Sequence, residues 1–441
     1  MKLILYNEYP STRLSYIAKV IFGELLGLEI EHCHDEKSYQ QAEGAKINYS
    51  QNTELPGIHI YDAGLLREKG IRNLQLTHHF NEQTQLDELC FDNKSFDLLS
   101  AAFFLVTRYE EYLPHKTDEH SRFLPEQSAA LKFGFLHRAV VNRYALFLKK
   151  QLERVYPSLR FNCQKYQFIS SVDIDSAYAY KEKGLMRFAG GIAKDLIAFD
   201  FENLKQRVLT QLGRKHDPYD TYAYMDALHE KHKVKAIFFF LMADYGHNDK
   251  GLPWRSKAFQ SLIKSVNDKN EVGIHPGYQS NFQEGKLKLE LERLQKITHR
   301  KVHQSRQHFL MLRFPFTYRK LVAADITEDY TMGYAQHPGF RASICSSFLW
   351  YDLDAERSSK LRIHPFTFMD ATLNRYLDWP ANEVLSRIKP LLDEVKAVNG
   401  TGMSLWHNES LSGTWFWKGW ENVLDEILFE AQQKEKETNP S

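Results

Sequence analysis

From Tyr166 onward the chain repeats one pattern, a short apolar run followed by a stretch of helical period. The runs fall at 168–172, 236–242, 272–274, around 306–310, 330–334, 361–363 and 403–406. Helical periodicity fills 219–231, 257–267, 286–298, 318–324 and 381–398 between them. Strands that alternate with helices build βα units around a parallel sheet or barrel. Seven such units in about 240 residues predict an incomplete relative of the eight-stranded barrel, which takes about 250 residues. The expected fold class is therefore α/β, with a distorted (β/α)7 barrel over 161–432.

The preceding segment reads as a small α/β domain over 1–160. Residues 2–6 form a short apolar strand, 14–26 carry a helical pattern closed by Gly27, and 35–57 are polar and predict loop. An amphipathic helix is expected over 96–112, with Leu98, Ala102, Leu105, Val106 and Tyr109 on one face and Pro114 beyond its end. A second long helix spans 140–155 and stops before Pro157. The charged tail, 433–441, predicts disorder.

Composition narrows the function classes. Lys and Arg number 57 against 56 Asp and Glu, a net charge of +1, so the bulk charge recruits neither nucleic acid nor an anionic membrane. The 4 cysteines form no CxxC pair, which argues for a reducing compartment and against a thiolate zinc site. No stretch approaches the roughly 20 apolar residues of a membrane span. The N-terminal apolar run ends at Asn7, too short for a signal-peptide core. The expected setting is cytoplasmic.

Chemistry is concentrated at the strand ends. One strand runs into Asp173-Ile-Asp175, another into His275-Pro-Gly-Tyr278, and a third carries Arg306-Gln-His308. Two more end at His364 and His407. Each residue has an ordinary reading: Asp173 and Asp175 could cap the next turn, the histidines could satisfy rim carbonyls, and Arg306 could form a surface ion pair. Their coincidence decides between the readings. In α/β barrels the carboxyl ends of the strands converge on one mouth, where active sites lie. Carboxylates, histidines and an arginine arriving there together describe a candidate metal-hydrolase site.

The series S-V-D-I-D-S (171–176), E-V-G-I-H-P-G-Y (271–278), S-R-Q-H-F-L (305–310) and L-W-H-N (405–408) resembles the polysaccharide deacetylases of the NodB-homology type, carbohydrate esterase family 4 and its relatives. The stretches 329–342 and 363–370, with R-Y-E-E-Y-L-P-H at 108–115, resemble a bacterial branch that carries an extra N-terminal domain. The resemblance implies a hydrolase that removes N-acetyl, less readily O-acetyl, groups from a carbohydrate or glycan precursor. It implies Asp173 as general base, Arg306 as the residue holding it, and His407 as general acid. Asp175 and His275 would be metal ligands, for a divalent cation expected to be zinc. Such a cation, held by two histidines and a carboxylate, keeps open positions and lowers the pKa of bound water.

One position departs from that pattern. The second histidine of the family's H-x-x-x-H motif falls at Gln279, so the third ligand must come from elsewhere. His308, two residues after Arg306 and so on the same side of a strand, is the first candidate, and His364 the second. A backbone N–H near Tyr278 is a candidate oxyanion donor. Tyr278, His364, Trp415 and Trp417 are candidate substrate contacts, although the tryptophans could equally pack the last helix. Arg108-Tyr-Glu-Glu111 lies on a predicted helix as solvated or interface charge without chemistry. Two alternatives stay open, a metal-free relative that only binds glycan and an amidase of the same barrel type acting on a non-sugar substrate.

Overall fold

The computed structural model describes residues 2–433; the expected tail lies, from 434 on, outside the described residues. Two parallel arrangements follow one another along the chain. The first is a 4-stranded sheet of β1 (Leu3–Tyr6), β2 (Ile30–Cys33), β3 (Ala45–Ser50) and β4 (Ile58–Tyr61), in the order β2-β1-β3-β4. An antiparallel pair, β5 (Leu76–Asn81) and β6 (Leu86–Phe91), comes after it. Residues 35–57 are not loop throughout. Asp35 accepts the Ser38 N–H at 2.7 Å and caps a helix at Glu36–Gln41. The segment AKINYS then pairs in β3, buried almost throughout.

The second sheet has 9 strands in the order β12-β13-β11-β10-β9-β8-β7-β15-β14. In chain order these are β7 (Gln167–Ile174), β8 (Lys235–Leu241), β9 (Glu271–His275), β10 (Gln304–Ser305), β11 (Glu328–Asp329), β12 (Phe348–Asp352), β13 (Arg357–Ile363), β14 (Phe368–Met369) and β15 (Thr401–His407). All neighbours are parallel except β12 and β13. Beyond their first residues β7 and β8 are buried, as strands covered on both faces must be, which explains the unbroken run AIFFFL. Phe239 of β8 meets Tyr330, just past β11, with ring centroids 5.2 Å apart. The sheet therefore curls about a small inner core that includes Ile237, Phe239, Met403 and Leu405. Its edge strands β12 and β14 share no ladder, so the expected barrel is an open, curled sheet among the described residues.

Two expected strands fall outside the apolar runs that predicted them: β10 stops before 306–310 and β11 before 330–334, and each is two residues long. At β10 the chain leaves the sheet after Ser305, and Phe309 and Leu310 adopt φ of 60° and 54°, which no pleat accommodates. At β11 the Asp329 carboxylate accepts the Thr331 N–H at 2.9 Å and the Thr331 hydroxyl at 2.8 Å, and this local turn ends the strand. The helix expected over 96–112 is likewise interrupted. It runs Leu98–Val106, Arg108 takes φ 55°, and a 3-10 turn follows at Tyr109–Tyr112.

That interruption turns Arg108 inward. Its Nε donates to Glu111 at 2.8 Å and one Nη to Glu110 at 2.6 Å and to the Tyr334 hydroxyl at 3.0 Å. Glu111 also accepts from Arg341 Nε at 2.9 Å, and all of these charges are buried. Burial alone would raise the Glu111 carboxyl, but Arg341 and Arg108 hold it below the usual range. The expected helix-face charges are thus a sealed lock between the N-terminal segment and the loop after β11. Arg341→Leu leaves Arg108 alone to neutralise two buried carboxylates, Glu110 and Glu111, and should cost roughly 3–5 kcal/mol. A lower denaturant midpoint at unchanged m-value is the expected reading.

Candidate active site

Register alone gathers the strand-end residues. Asp173 is level with Phe239 of β8 and with His407 of β15, and Leu241 of β8 is level with His275 of β9. Ile274 pairs with Ser305, which brings Arg306 in beside them. Asp173 and Asp175 are two apart, so both project to the same side. Asp173, His275, Arg306 and His308 are buried.

Each side chain is held from behind. Arg306 donates through Nη1 to Asp173 Oδ1 at 3.2 Å and through Nε to the Tyr330 carbonyl at 3.0 Å, with Phe239 beneath its guanidinium. His275 Nδ1 lies 2.6 Å from the Arg306 carbonyl, which can only accept, so that nitrogen carries the proton. His308 Nδ1 lies 2.9 Å from Asp249 Oδ1. His407 Nδ1 lies 2.8 Å from Asp370 Oδ1, and its backbone N–H donates to Asp370 Oδ2 at 2.7 Å. All three imidazoles therefore present Nε2 to one centre.

Asp175 occupies that centre. Its Oδ1 stands 3.2 Å from His275 Nε2, and its Oδ2 stands 3.4 Å from His308 Nε2 and 3.9 Å from His407 Nε2. One ligand atom each from Asp175, His275 and His308 falls within a 4.8 Å span. Asp175 Oδ1 is buried without a hydrogen-bond partner. Asp175 Oδ1 and His275 Nε2 thus face one another at 3.2 Å, an arrangement that calls for a proton or a metal cation between them. Histidines whose other ring nitrogen is tied to a carbonyl or carboxylate are the usual form of metal-ligating histidine. The donor set, one oxygen and two nitrogens, suits zinc and its neighbours.

The carboxylates and imidazoles of the cluster also stabilise one another's charge. Burial would raise Asp175, but His308, His275 and His407 hold it well below the usual carboxylate range. Burial opposes charge on His308, yet Asp175 and Asp249 lift it to about 9. His407 is lifted to about 10 against the same burial, first by Asp370 and then by Asp175 and Asp173. The cluster forms the wall of a cleft of about 430 Å³, completed by Arg122, Phe309, Leu310, Met369, Arg375 and Tyr376 among others.

Of the residues singled out from sequence, Asp173, Asp175, His275, Arg306, His308 and His407 converge here. Gln279 does not; it is exposed and bonded to Gln283 at 3.3 Å. His364 follows β13, where its N–H donates to the Asp329 carbonyl at 2.8 Å. Its ring stacks on Tyr330 at 4.4 Å, beside Glu328 at 3.4 Å. It lines a separate cavity with Gln167 and Lys235, at the amino ends of the strands, and reaches neither the Asp175–His275–His308 cluster nor the cleft. The Tyr278 N–H donates to Asp249 at 2.9 Å and is already spent, while its ring braces Phe309 at 5.4 Å. Trp417 is core, packed on Trp420 at 5.5 Å. Trp415 is half-exposed against Tyr219 and Tyr180, outside the cleft lining.

Sequence reasoning missed Asp249, Asp370, Arg122, Arg375 and Tyr376. Asp370 directly follows β14 beside His407, but that two-residue strand gave no apolar run long enough to mark it. Asp249 lies in an irregular loop between β8 and β9, and Arg122 comes from the N-terminal segment, so neither carried a strand-end signal.

A family of unknown function, DUF7033, matches residues 3–157. No curated protein matches the chain. Among solved structures, a provisionally named polysaccharide deacetylase from Mycobacterium smegmatis is similar at 11% identity, covering 63% of this chain and 87% of that one with a TM-score of 0.42. The carbohydrate deacetylase Agd3 is similar at 8% identity, over 97% of this chain and 84% of that one, with a TM-score of 0.37. A family 4 pseudoenzyme from Bacillus anthracis is similar at 13% identity, over 60% and 62% of the respective chains, with a TM-score of 0.28.

Proposed function

We propose that this chain is a divalent-metal-dependent hydrolase that removes N-acetyl, and less readily O-acetyl, groups from a carbohydrate or glycan precursor. The observation that carries the reading is the Asp175–His275–His308 cluster, flanked by an Asp173–Arg306 pair and an Asp370–His407 pair. In this reading 161–432 is a deacetylase-type (β/α) unit, and 1–160 is a separate domain that lends Arg122 to the cleft. His308 takes the ligand place that Gln279 leaves open.

A cation at the cluster, zinc being our choice, supplies a Lewis acid and brings the pKa of a bound water towards about 7. The rest falls to the chain. Asp173, aimed by Arg306, takes the proton of the attacking water. His407, whose Nδ1 is tied to Asp370, presents a protonated Nε2 and gives that proton to the departing amine. Phe309, Leu310 and Met369 exclude water around the acetyl group, and Arg375 and Tyr376 offer polar contacts to the sugar. The 4 unpaired cysteines fit a reducing compartment.

Asp370→Asn keeps the shape but weakens the hold on the His407 imidazolium, and should lower kcat by roughly 10–100-fold while KM changes little. A panel of acetylated amino sugars with an acetate-release readout tests the function itself. Acetate release that needs metal supports it. Sugar binding without acetate release, at full metal loading, overturns it in favour of a binding protein.

A further inference from the structure

Between β7 and β8 the chain inserts two antiparallel helices, Gly184–Ile197 and Phe201–Gln211. They pack on one another through Asp195, whose carboxylate accepts from Arg207 Nε at 2.6 Å. Gly191 leaves the room for that guanidinium, since a Cβ there would meet Arg207 Nη1 at 2.3 Å. With that face occupied, the first helix turns outward a stripe of Met186, Ala189, Gly190, Ala193 and Ile197, at helical spacing. Phe199 and Phe201 at the tip and Leu212 at the base extend it. Exposure runs from 62% at Phe201 and Leu212 to 90% at Met186, where a monomer would ordinarily bury such side chains.

Charge distinguishes the possible occupants. Residues 181–215 hold eight Lys and Arg against four Asp and Glu, a net +4 within a chain of net +1. The near-neutral total therefore hides a local excess that the bulk balance could not reveal. Among the described residues Lys181, Lys194, Lys205, Arg214 and Lys215 make no ion pair, whereas Asp195 is neutralised by Arg207. Exposed apolar side chains interleaved with unpaired cations are the signature of an element lying in an anionic bilayer interface. A second copy of this chain would set the same positive charges against one another.

The hairpin is also tied to the loop that buttresses His308. Arg187 donates to the carbonyls of Gly251 and Lys250 at 3.0 Å, in the loop that carries Asp249. Arg207 lies 4.8 Å over the ring of Tyr180, which packs against Trp415. We propose that the Gly184–Gln211 hairpin docks this protein on an anionic lipid surface. The docking stands whether or not the cleft chemistry above is right.

The test is sedimentation of the full-length protein with phosphatidylcholine vesicles, with and without phosphatidylglycerol. Binding is expected only with the anionic lipid, and should weaken as salt rises. Phe199→Ser with Phe201→Ser should lower the partition at least tenfold. Lys194→Ala with Lys205→Ala should lower it by about fivefold per charge. Unchanged metal content and circular dichroism would show that the fold survives. Wild-type protein that ignores anionic vesicles overturns the proposal, as does equal binding by the variants. A concentration-dependent dimer dissolved by Phe199→Ser with Phe201→Ser overturns it in favour of self-association.

Discussion

Asp175→Ala abolishes stoichiometric metal binding, and His308→Ala does the same, while His364→Ala and Gln279→Ala leave it intact. Among the described residues Asp175 is the only carboxylate that faces both His275 and His308, and its Oδ1 has no hydrogen-bond partner there. Removing it deletes the anionic ligand and leaves His275 and His308 with no shared charge to converge on. The loss of affinity should exceed the roughly 10–100-fold typical of an outer-shell change such as Asp249→Asn. His364 faces Glu328 in the opposite cavity, and Gln279 faces solvent, so neither has a route to the ion. Metal content of the purified variants by elemental mass spectrometry checks all four. If metal is retained by His308→Ala and lost from His364→Ala, the ligand assignment is wrong.

The second large effect belongs to Asp173. Asp173→Asn should lower kcat for acetate release by about 10²–10⁴-fold, the range of a general base, with bound metal unchanged. The amide keeps the volume and its oxygen can still accept from Arg306 Nη1, 3.2 Å from the native oxygen, although the buried guanidinium loses its counter-charge and some stability with it. What it cannot do is take a proton. Arg306→Met, by contrast, leaves the Asp173 carboxylate buried and unpaired, and should lower both activity and stability. Parallel single-turnover kinetics and metal analysis separate the two. An Asp173→Asn variant with near-native kcat would remove Asp173 from the chemistry.

The legible part of the site is the part written at strand ends. Short apolar runs alternating with helical stretches, and the polar residue after each run, located Asp173, Asp175, His275 and His407 because parallel register levels the carboxyl ends. His308 was named for a reason the structure replaces. Strand periodicity does not extend past Ser305, and a 3-10 turn with left-handed Phe309 delivers the ring instead. His364 shows the converse, a strand-end histidine that backbone pairing with Asp329 carries away from the mouth. Asp249 was invisible because loop residues obey no period. The N-terminal elements were harder still: β2 and β4 are short and partly exposed, and the Arg108 lock depends on Arg341, 233 positions away in sequence. The exposed helical hairpin at 184–211 carries a helical period, but its outward apolar stripe reads like a core face until the partner is found to be missing.

The most direct test of the central claim is anomalous X-ray scattering from crystals soaked in zinc. We expect a single strong peak bounded by Asp175, His275 and His308, with zinc–nitrogen and zinc–oxygen distances of about 2.0–2.2 Å. The cleft should lie open on its remaining side. No peak at that position, or a peak held instead by Glu328 and His364, would contradict the account.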